Sequence, residues 1–132
     1  MNKFLKLLLF FLLLIASGVV YQKFYRPLSV GPIAATGQVV EVSMHAKKDS
    51  WKWEPSVIRV KAGDTVKLKI FNEDDYDHGW ALEAFGINRR LFPHRDNEFD
   101  FVASKAGTFQ FYCSVPCGEG HYDQIGTLIV EE

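Results

Sequence analysis

Two cysteines and a histidine near the C-terminus have side chains and spacing suited to metal binding. They lie in the segment Cys113-Ser-Val-Pro-Cys117-Gly-Glu-Gly-His121, so thiol, thiol and imidazole follow one another at intervals of four residues. Within a single loop, this spacing lets the three groups converge on one point. Thiolate and imidazole together are typical ligands of copper and zinc.

A second histidine extends this candidate ligand set. His78 ends an acidic run that includes Glu73, Asp74, Asp75 and Asp77, and it precedes the apolar residues Trp80 and Leu82. In a β-sandwich, the loop before this predicted strand and the loop before the last strand can meet at one end. The residues therefore predict one four-ligand metal site, formed by His78, Cys113, Cys117 and His121.

Simpler explanations of these residues remain open from the sequence alone. In an oxidising compartment, two cysteines commonly form a disulfide. His45 and His94 are expected to be solvated surface residues, the acidic run to be a solvated turn, and Trp80, which follows His78 closely, to pack around the site. A zinc hydrolase is disfavoured, because four protein ligands leave zinc no open position for substrate.

Short segments of alternating apolar and polar residues surround the candidate ligands. Val66, Leu68 and Ile70, for example, alternate with lysines, and this period of two predicts strands. The same parity puts Cys113 on the face of Phe109 and Phe111, at the end of the core. About seven short antiparallel strands in roughly 95 residues predict an all-β Greek-key β-sandwich.

The first segment, 1–26, is predicted to be a membrane anchor or a signal sequence. Lys3 and Lys6 precede 15 apolar or small residues, Leu7 to Tyr21. A helix of this length reaches about 22 Å, whereas the hydrocarbon core of a bilayer is about 30 Å thick. An uncleaved single-pass anchor and cleavage near Ala16 to Gly18 both remain open. Either places the C-terminal part outside the cytoplasm, in the periplasm or at the outer face of the cell membrane.

The rest of the chain divides into a predicted linker, 27–37, and a domain, 38–132. Four of the 15 Lys and Arg residues lie in the first 26 positions, which leaves 11 against 16 Asp and Glu and a net charge of −5 from position 27 onward. Nucleic-acid binding is therefore not expected, because it requires a basic face. A basic protein partner is permitted.

The cysteine loop resembles the copper A loop of cytochrome c oxidase subunit II, and nitrous-oxide reductase carries a similar domain. The resemblance rests on Cys-Ser-x-x-Cys-Gly-x-x-His followed by Gly-Thr-Leu-Ile-Val, and it extends from about Gly37 to Glu131. It includes the stretch Pro55 to Gly63 and the tripeptide Asp77-His78-Gly79. A single N-terminal span matches the single-helix variety of subunit II. The resemblance implies a cupredoxin-like fold.

The resemblance also implies a cofactor, two copper ions of the copper A (CuA) type. Cys113 and Cys117 would bridge both ions, and His78 and His121 would each bind one of them.

Two weaker ligands and a place where electrons enter follow from the same resemblance. The backbone carbonyl of Val115 would be a weak ligand, at a position where the family often has Glu. The family's weak methionine ligand falls at Gln124, whose amide oxygen can replace a thioether at copper. We expect this exchange to lower the potential, and it leaves a one-copper site open. Trp51 and Trp53 are candidates for the aromatic patch that receives electrons.

The resulting functional hypothesis is electron transfer, with no catalytic chemistry in this chain itself. The protein would accept electrons from a cytochrome c-like donor as subunit II of a haem–copper cytochrome c oxidase, beside subunit I. One alternative is a free-standing, membrane-anchored copper carrier. Another is a periplasmic copper chaperone or thiol oxidoreductase of the Sco type. Sco proteins have a similar cysteine pair early in an α/β chain, whereas here the pair lies late in a predicted all-β chain.

Overall fold

The computed structural model describes residues 2–26 and 31–132, and the chain divides between Gly31 and Pro32 into two compact units. The first unit contains helix α1 (Lys3–Val20) and one π-helical turn (Tyr21–Tyr25). The side chain of Asn2 caps the helix by accepting a hydrogen bond from the backbone N–H of Phe4 at 3.2 Å.

The apolar helix is longer than the uninterrupted apolar stretch in the sequence. The helical segment Lys3–Tyr25 has 23 residues, none of them buried. At 1.5 Å per residue it extends about 34 Å, enough to cross a bilayer. Its length and composition fit a membrane anchor or a signal sequence.

Nine strands form the sandwich within residues 31–132. One sheet has the strand order β2-β1-β4-β7 and the other has the order β3-β9-β8-β5-β6. The strand bounds are β1 Val39–Lys47, β2 Lys52–Glu54, β3 Val57–Lys61, β4 Thr65–Asn72, β5 His78–Leu82, β6 Ile87–Leu91, β7 Asp96–Val102, β8 Gly107–Tyr112 and β9 Ile125–Glu131.

The β-sandwich expected from the sequence is confirmed, but two details differ. Strand β2 alternates over only three residues, which is too short a pattern to identify a strand, and β6 has three consecutive exposed residues and no alternation. Two pairings, β1 with β4 and β3 with β9, are parallel rather than antiparallel. Alternation defines the buried face of a strand but not the direction of its neighbour.

Apolar residues at the predicted inward positions fill the space between the sheets. The Trp80 ring is fully buried, stacks on Phe111 at 5.2 Å between ring centroids and lies 5.4 Å from Phe99. Burial of each such side chain contributes about 1.5–3 kcal/mol, so the strand ends that carry the ligand loops are held firmly. Other residues of this core are Met44, Ile58, Val60, Val66, Leu68, Ile70, Leu128 and Val130.

Part of the predicted linker is attached to the sandwich. Positions 27–30 lie outside the described residues, but Ile33 donates a backbone hydrogen bond to Ser104 and Thr36 donates one to Gly63, both at 2.8 Å. Gly63 has φ +90°, and an added Cβ there would lie 2.5 Å from the Thr36 side chain. The second compact unit, Pro32–Glu132, therefore includes part of the segment that joins the helix to the strands.

Candidate metal centre

Strands β5 and β8 are neighbours in one sheet, and this pairing brings two of the predicted ligands together. Ala81 of β5 pairs with Tyr112 of β8, so His78 at the start of β5 lies beside Cys113, which follows β8. The Gly79 N–H donates a hydrogen bond to Cys113 Sγ at 3.4 Å. A Cβ at Gly79 would lie 2.9 Å from the backbone nitrogen of Ser114, so this close approach requires glycine.

The four predicted ligand side chains form a row. The Nδ1 atom of His78 lies 3.7 Å from Cys113 Sγ, the two sulfurs are 3.4 Å apart, and Cys117 Sγ lies 3.6 Å from the Nδ1 atom of His121. The S–S separation is far beyond the roughly 2.05 Å of a disulfide, and both thiols are free. The order is nitrogen, sulfur, sulfur, nitrogen.

The two predicted weak ligands lie beside different sulfurs. The carbonyl oxygen of Val115 is 3.3 Å from Cys113 Sγ, and Oε1 of Gln124 is 3.5 Å from Cys117 Sγ. Gln124 is fully buried, and its Nε2 atom has no hydrogen-bond partner among the described residues. The amide oxygen, which is an acceptor, therefore faces the Cys117 sulfur, where it is placed to serve as a weak ligand of a cation.

The two thiols differ in acidity. Burial opposes ionisation of Cys113, but hydrogen bonds from His78 and from the Gly79 N–H outweigh it and lower the Cys113 pKa to about 6. Burial and the neighbouring Cys113 sulfur raise the pKa of Cys117 to about 12. A negative charge on the Cys113 sulfur therefore opposes ionisation of Cys117. A cation between the sulfurs would remove the repulsion that prevents the second ionisation.

A buried carboxylate supports the predicted ligand His78. The Nε2 atom of His78 lies 2.7 Å from Oδ2 of Asp74, and both side chains are completely inaccessible. The other Asp74 oxygen accepts the backbone N–H of Asp49 at 2.8 Å. Metal-binding histidines usually donate their second ring N–H to such an oxygen, which fixes the ring and its tautomer.

The expectation that the whole acidic run is a solvated turn is therefore wrong for Asp74. The position four residues before His78 is the only sequence signal for this role. Burial opposes protonation of His78, but hydrogen bonds with Cys113 and Asp74 outweigh it and raise the His78 pKa.

The other acidic residues of this run are paired with basic groups. Glu73 contacts Lys47 at 2.7 Å and His45 at 2.9 Å. Asp75 contacts His94 at 2.6 Å and Lys48 at 3.4 Å, and Asp77 pairs with Arg90. His45 and His94 are exposed, as expected, and the acidic run offers little unpaired charge to a partner.

Trp51 and Trp53 both contact the cysteine loop, but in different environments. Trp51 is partly exposed, and its Nε1–H donates to the carbonyl of Cys117 at 3.0 Å. Its ring lies so close to Gly120 that a Cβ there would be 2.5 Å away. Trp53 is only 3% exposed, and its Nε1–H donates to the carbonyl of Gln124 at 3.0 Å.

This donor set fits copper. Atoms bound to one ion at the usual 2.0–2.3 Å of nitrogen and sulfur ligands lie roughly 3.5 Å from each other. The separations in the row, 3.4–3.7 Å, agree with this value. Thiolate and imidazole are ligands that suit copper, whereas magnesium and calcium prefer oxygen.

Sequence comparisons give several relatives among oxidase subunits and nitrous-oxide reductases. Cytochrome c oxidase subunit 2 of Thermus thermophilus is 26% identical over 108 residues, which is 77% of this chain and 79% of that relative. The nitrous-oxide reductase of Stutzerimonas stutzeri is 35% identical over 75 residues, 54% of this chain. The chain spans only 12% of the length of that reductase.

Structural comparisons give the same fold. A chain from a haem–copper terminal oxidase dimer has a TM-score of 0.61 and 22% identity, with 98% of this chain and 97% of that chain covered. Auracyanin A, a blue copper protein from Chloroflexus aurantiacus, has a TM-score of 0.60 and 24% identity over 70% of this chain and 99% of its own. Residues 6–130 match the profile of the cupredoxin-like domain. The chain therefore belongs to the cupredoxin-like family of copper-binding electron-transfer proteins.

Proposed function

We propose that this protein transfers single electrons through a binuclear CuA-type centre, as the electron-accepting subunit of a haem–copper cytochrome c oxidase. The observation that carries the proposal is the row of four donor atoms, with two free sulfurs 3.4 Å apart between two histidine nitrogens. A single copper needs only one thiolate in a blue-copper site. A second cysteine with its own histidine supports a second ion.

The residues of the chain have separate tasks at this site. Cys113 and Cys117 would bridge the two ions, His78 and His121 would each bind one, and Val115 and Gln124 would be the weak ligands. When bound, the copper pair would share one electron through both sulfurs, which keeps changes in bond length small.

The surroundings of these ligands limit their movement and their contact with water. Asp74 holds the ring of His78, and the Gly79 N–H holds the Cys113 sulfur. Both cysteines and His78 are buried, which excludes water from this side of the site. Rigid ligands reduce the rearrangement that accompanies each electron transfer.

The N-terminal helix supports an anchored subunit more than a cleaved export signal. The helical segment continues past the candidate cleavage position and ends with exposed Tyr21, Phe24 and Tyr25. Lys23 and Arg26 lie beside these aromatic residues. Aromatic and basic residues are typical of a membrane–water interface. We propose that segment 1–26 stays as a single-pass anchor and that the copper domain lies on the extracytoplasmic side.

The proposed partners are a cytochrome c-like donor and the catalytic subunit of the oxidase. The net charge of −5 from position 27 onward favours a basic donor. The acidic run contributes little, since its members are paired. Trp51 is the more suitable of the two candidates for receiving electrons, because part of its ring is exposed and its N–H contacts Cys117.

The experiment is copper reconstitution of the purified full chain, followed by metal counting and electron paramagnetic resonance. Two coppers per chain with one electron shared equally between them support the proposal. One copper with a localised electron contradicts the binuclear centre and favours a mononuclear carrier. Co-purification of a large multi-helix protein from membranes distinguishes an oxidase subunit from a free-standing carrier.

A further inference from the structure

We infer that Trp53 is a positioning residue of the copper site and not a point at which electrons enter. The inference rests on the proposed function. Trp53 lies in the short strand β2, pairs with Ala46 of β1, and is 3% exposed. A docked protein therefore cannot contact its ring.

One backbone carbonyl connects Trp53 to two parts of the site. The carbonyl oxygen of Gln124 accepts both the Nε1–H of Trp53 and the backbone N–H of Cys113, each at 3.0 Å. The indole thus fixes the point where the cysteine loop returns to the sheet. The bond therefore restrains the backbone of Gln124, the residue whose side-chain Oε1 lies 3.5 Å from Cys117 Sγ.

The Trp53 ring also contacts the other side of the site. Its centroid lies 6.3 Å from that of the His78 ring and 6.4 Å from that of Phe111, in edge-to-face arrangements. A smaller ring would leave space beside the imidazole and would allow it to move. Trp53 therefore contacts the segments that carry His78, Cys113 and Gln124.

The turn before Trp53 also forms hydrogen bonds with the segments that carry the ligands. Alternate residues each donate one N–H: Asp49 to Asp74 behind His78, Trp51 to the Cys117 carbonyl and Trp53 to the Gln124 carbonyl. Asp49 has φ +52° and Trp51 has φ +49°, an unfavourable region for such residues that persists where surrounding contacts require it. The β1–β2 hairpin therefore holds the ligand segments from outside.

The test compares two buried tryptophans in the full-length, copper-loaded protein. Trp53→Phe removes an indole N–H that is bonded to the site. Trp80→Phe removes the same atoms from a fully buried ring whose Nε1 has no partner among the described residues, so it is a matched control. We expect Trp53→Phe to change the copper hyperfine pattern, to shift the midpoint potential and to release copper to a chelator roughly three- to tenfold faster. Trp80→Phe is expected to leave all three unchanged.

A further readout does not depend on copper. In the metal-free protein, the Cys113 amide and the Trp53 indole both donate to the Gln124 carbonyl. Because Trp53→Phe loosens that carbonyl, we expect hydrogen exchange of the Cys113 amide to be faster in Trp53→Phe than in Trp80→Phe. If Trp53→Phe does not fold, site-specific incorporation of benzothienylalanine at residue 53 keeps the ring shape and replaces only the N–H.

The outcomes separate the positioning role of Trp53 from the proposed copper function. The inference would be overturned if the Trp53 variants matched the wild type in all four readouts: spectra, midpoint potential, copper release and hydrogen exchange of the Cys113 amide. A wild-type chain that binds no copper pair would overturn the proposed function, and the exchange measurement would still test the hydrogen bond. An altered site in Trp80→Phe as well would reduce the effect to general core packing and would also overturn the inference.

Discussion

Replacing Gln124 with methionine tests how this buried side chain contributes to stability. Gln124 is fully buried, its Oε1 lies 3.5 Å from Cys117 Sγ, and its Nε2 has no hydrogen-bond partner in the described part of the chain. A buried donor with no partner costs about 1–3 kcal/mol. Methionine has a similar length and no N–H group. We therefore expect Gln124→Met to raise the free energy of unfolding of the metal-free, reduced protein by about 1 kcal/mol.

The effect is measurable by urea or thermal unfolding. For a domain of roughly 100 residues, 1 kcal/mol corresponds to about 4–8 °C in Tm. Gln124→Glu is the matched contrast, because it keeps an oxygen near Cys117 but places a carboxyl in the same buried position, and we expect it to lower the Tm. In the copper-loaded protein, Gln124→Met is expected to raise the midpoint potential, since a thioether replaces an amide oxygen.

Two results would refute this reasoning, one for stability and one for the metal. If Gln124→Met lowers the Tm of the metal-free protein, the amide nitrogen is satisfied in solution, for example by a buried water, and it imposes no penalty. An unchanged potential in the copper-loaded variant would show that residue 124 does not act on the metal.

Three further substitutions test other parts of the site and its support. Asp74→Ala leaves the second ring nitrogen of His78 buried without its carboxylate. We therefore expect the free energy of unfolding, measured by denaturation, to fall by about 1–3 kcal/mol. Copper binding, measured by competition with a chelator, is expected to be roughly 10–100-fold weaker. Cys117→Ser removes one bridging sulfur and is expected to bind one copper with a localised electron; two coppers in this variant would show that the bridge is not needed. The hydrogen bond from Lys47 lowers the pKa of Glu73, with burial opposing it, so its stabilisation is complete above pH 4.5 and disappears as the pH falls through the lowered pKa. Glu73→Gln is therefore expected to unfold more easily than wild type at pH 7 and equally at strongly acidic pH. A difference in stability between the two proteins that persists in acid would contradict a role for the Glu73 charge.

The ligand row is the part of the site that sequence patterns predict best. The spacing of Cys113, Cys117 and His121 is local, and strand parity placed Cys113 at the end of the core. Alternation also identified most strands. These features depend on neighbours in sequence, which is why they can be inferred without a structure.

The support around the ligands depends on tertiary contacts that no local pattern encodes. Asp74 is one carboxylate in a run of four, and nothing in the run marks it as the buried one. The sequence marks Trp51 and Trp53 equally, but their different exposure follows from the way the hairpin packs against the cysteine loop. The parallel pairings of β1 and β3 are likewise determined by how the chain crosses between the sheets.

The most direct test of the copper pair is X-ray absorption at the copper edge, performed on the reconstituted full chain. The arrangement of Cys113 and Cys117 between two imidazoles predicts sulfur and nitrogen neighbours together with scattering from a second copper nearby. A spectrum with these ligands but without a neighbouring copper would contradict the binuclear centre.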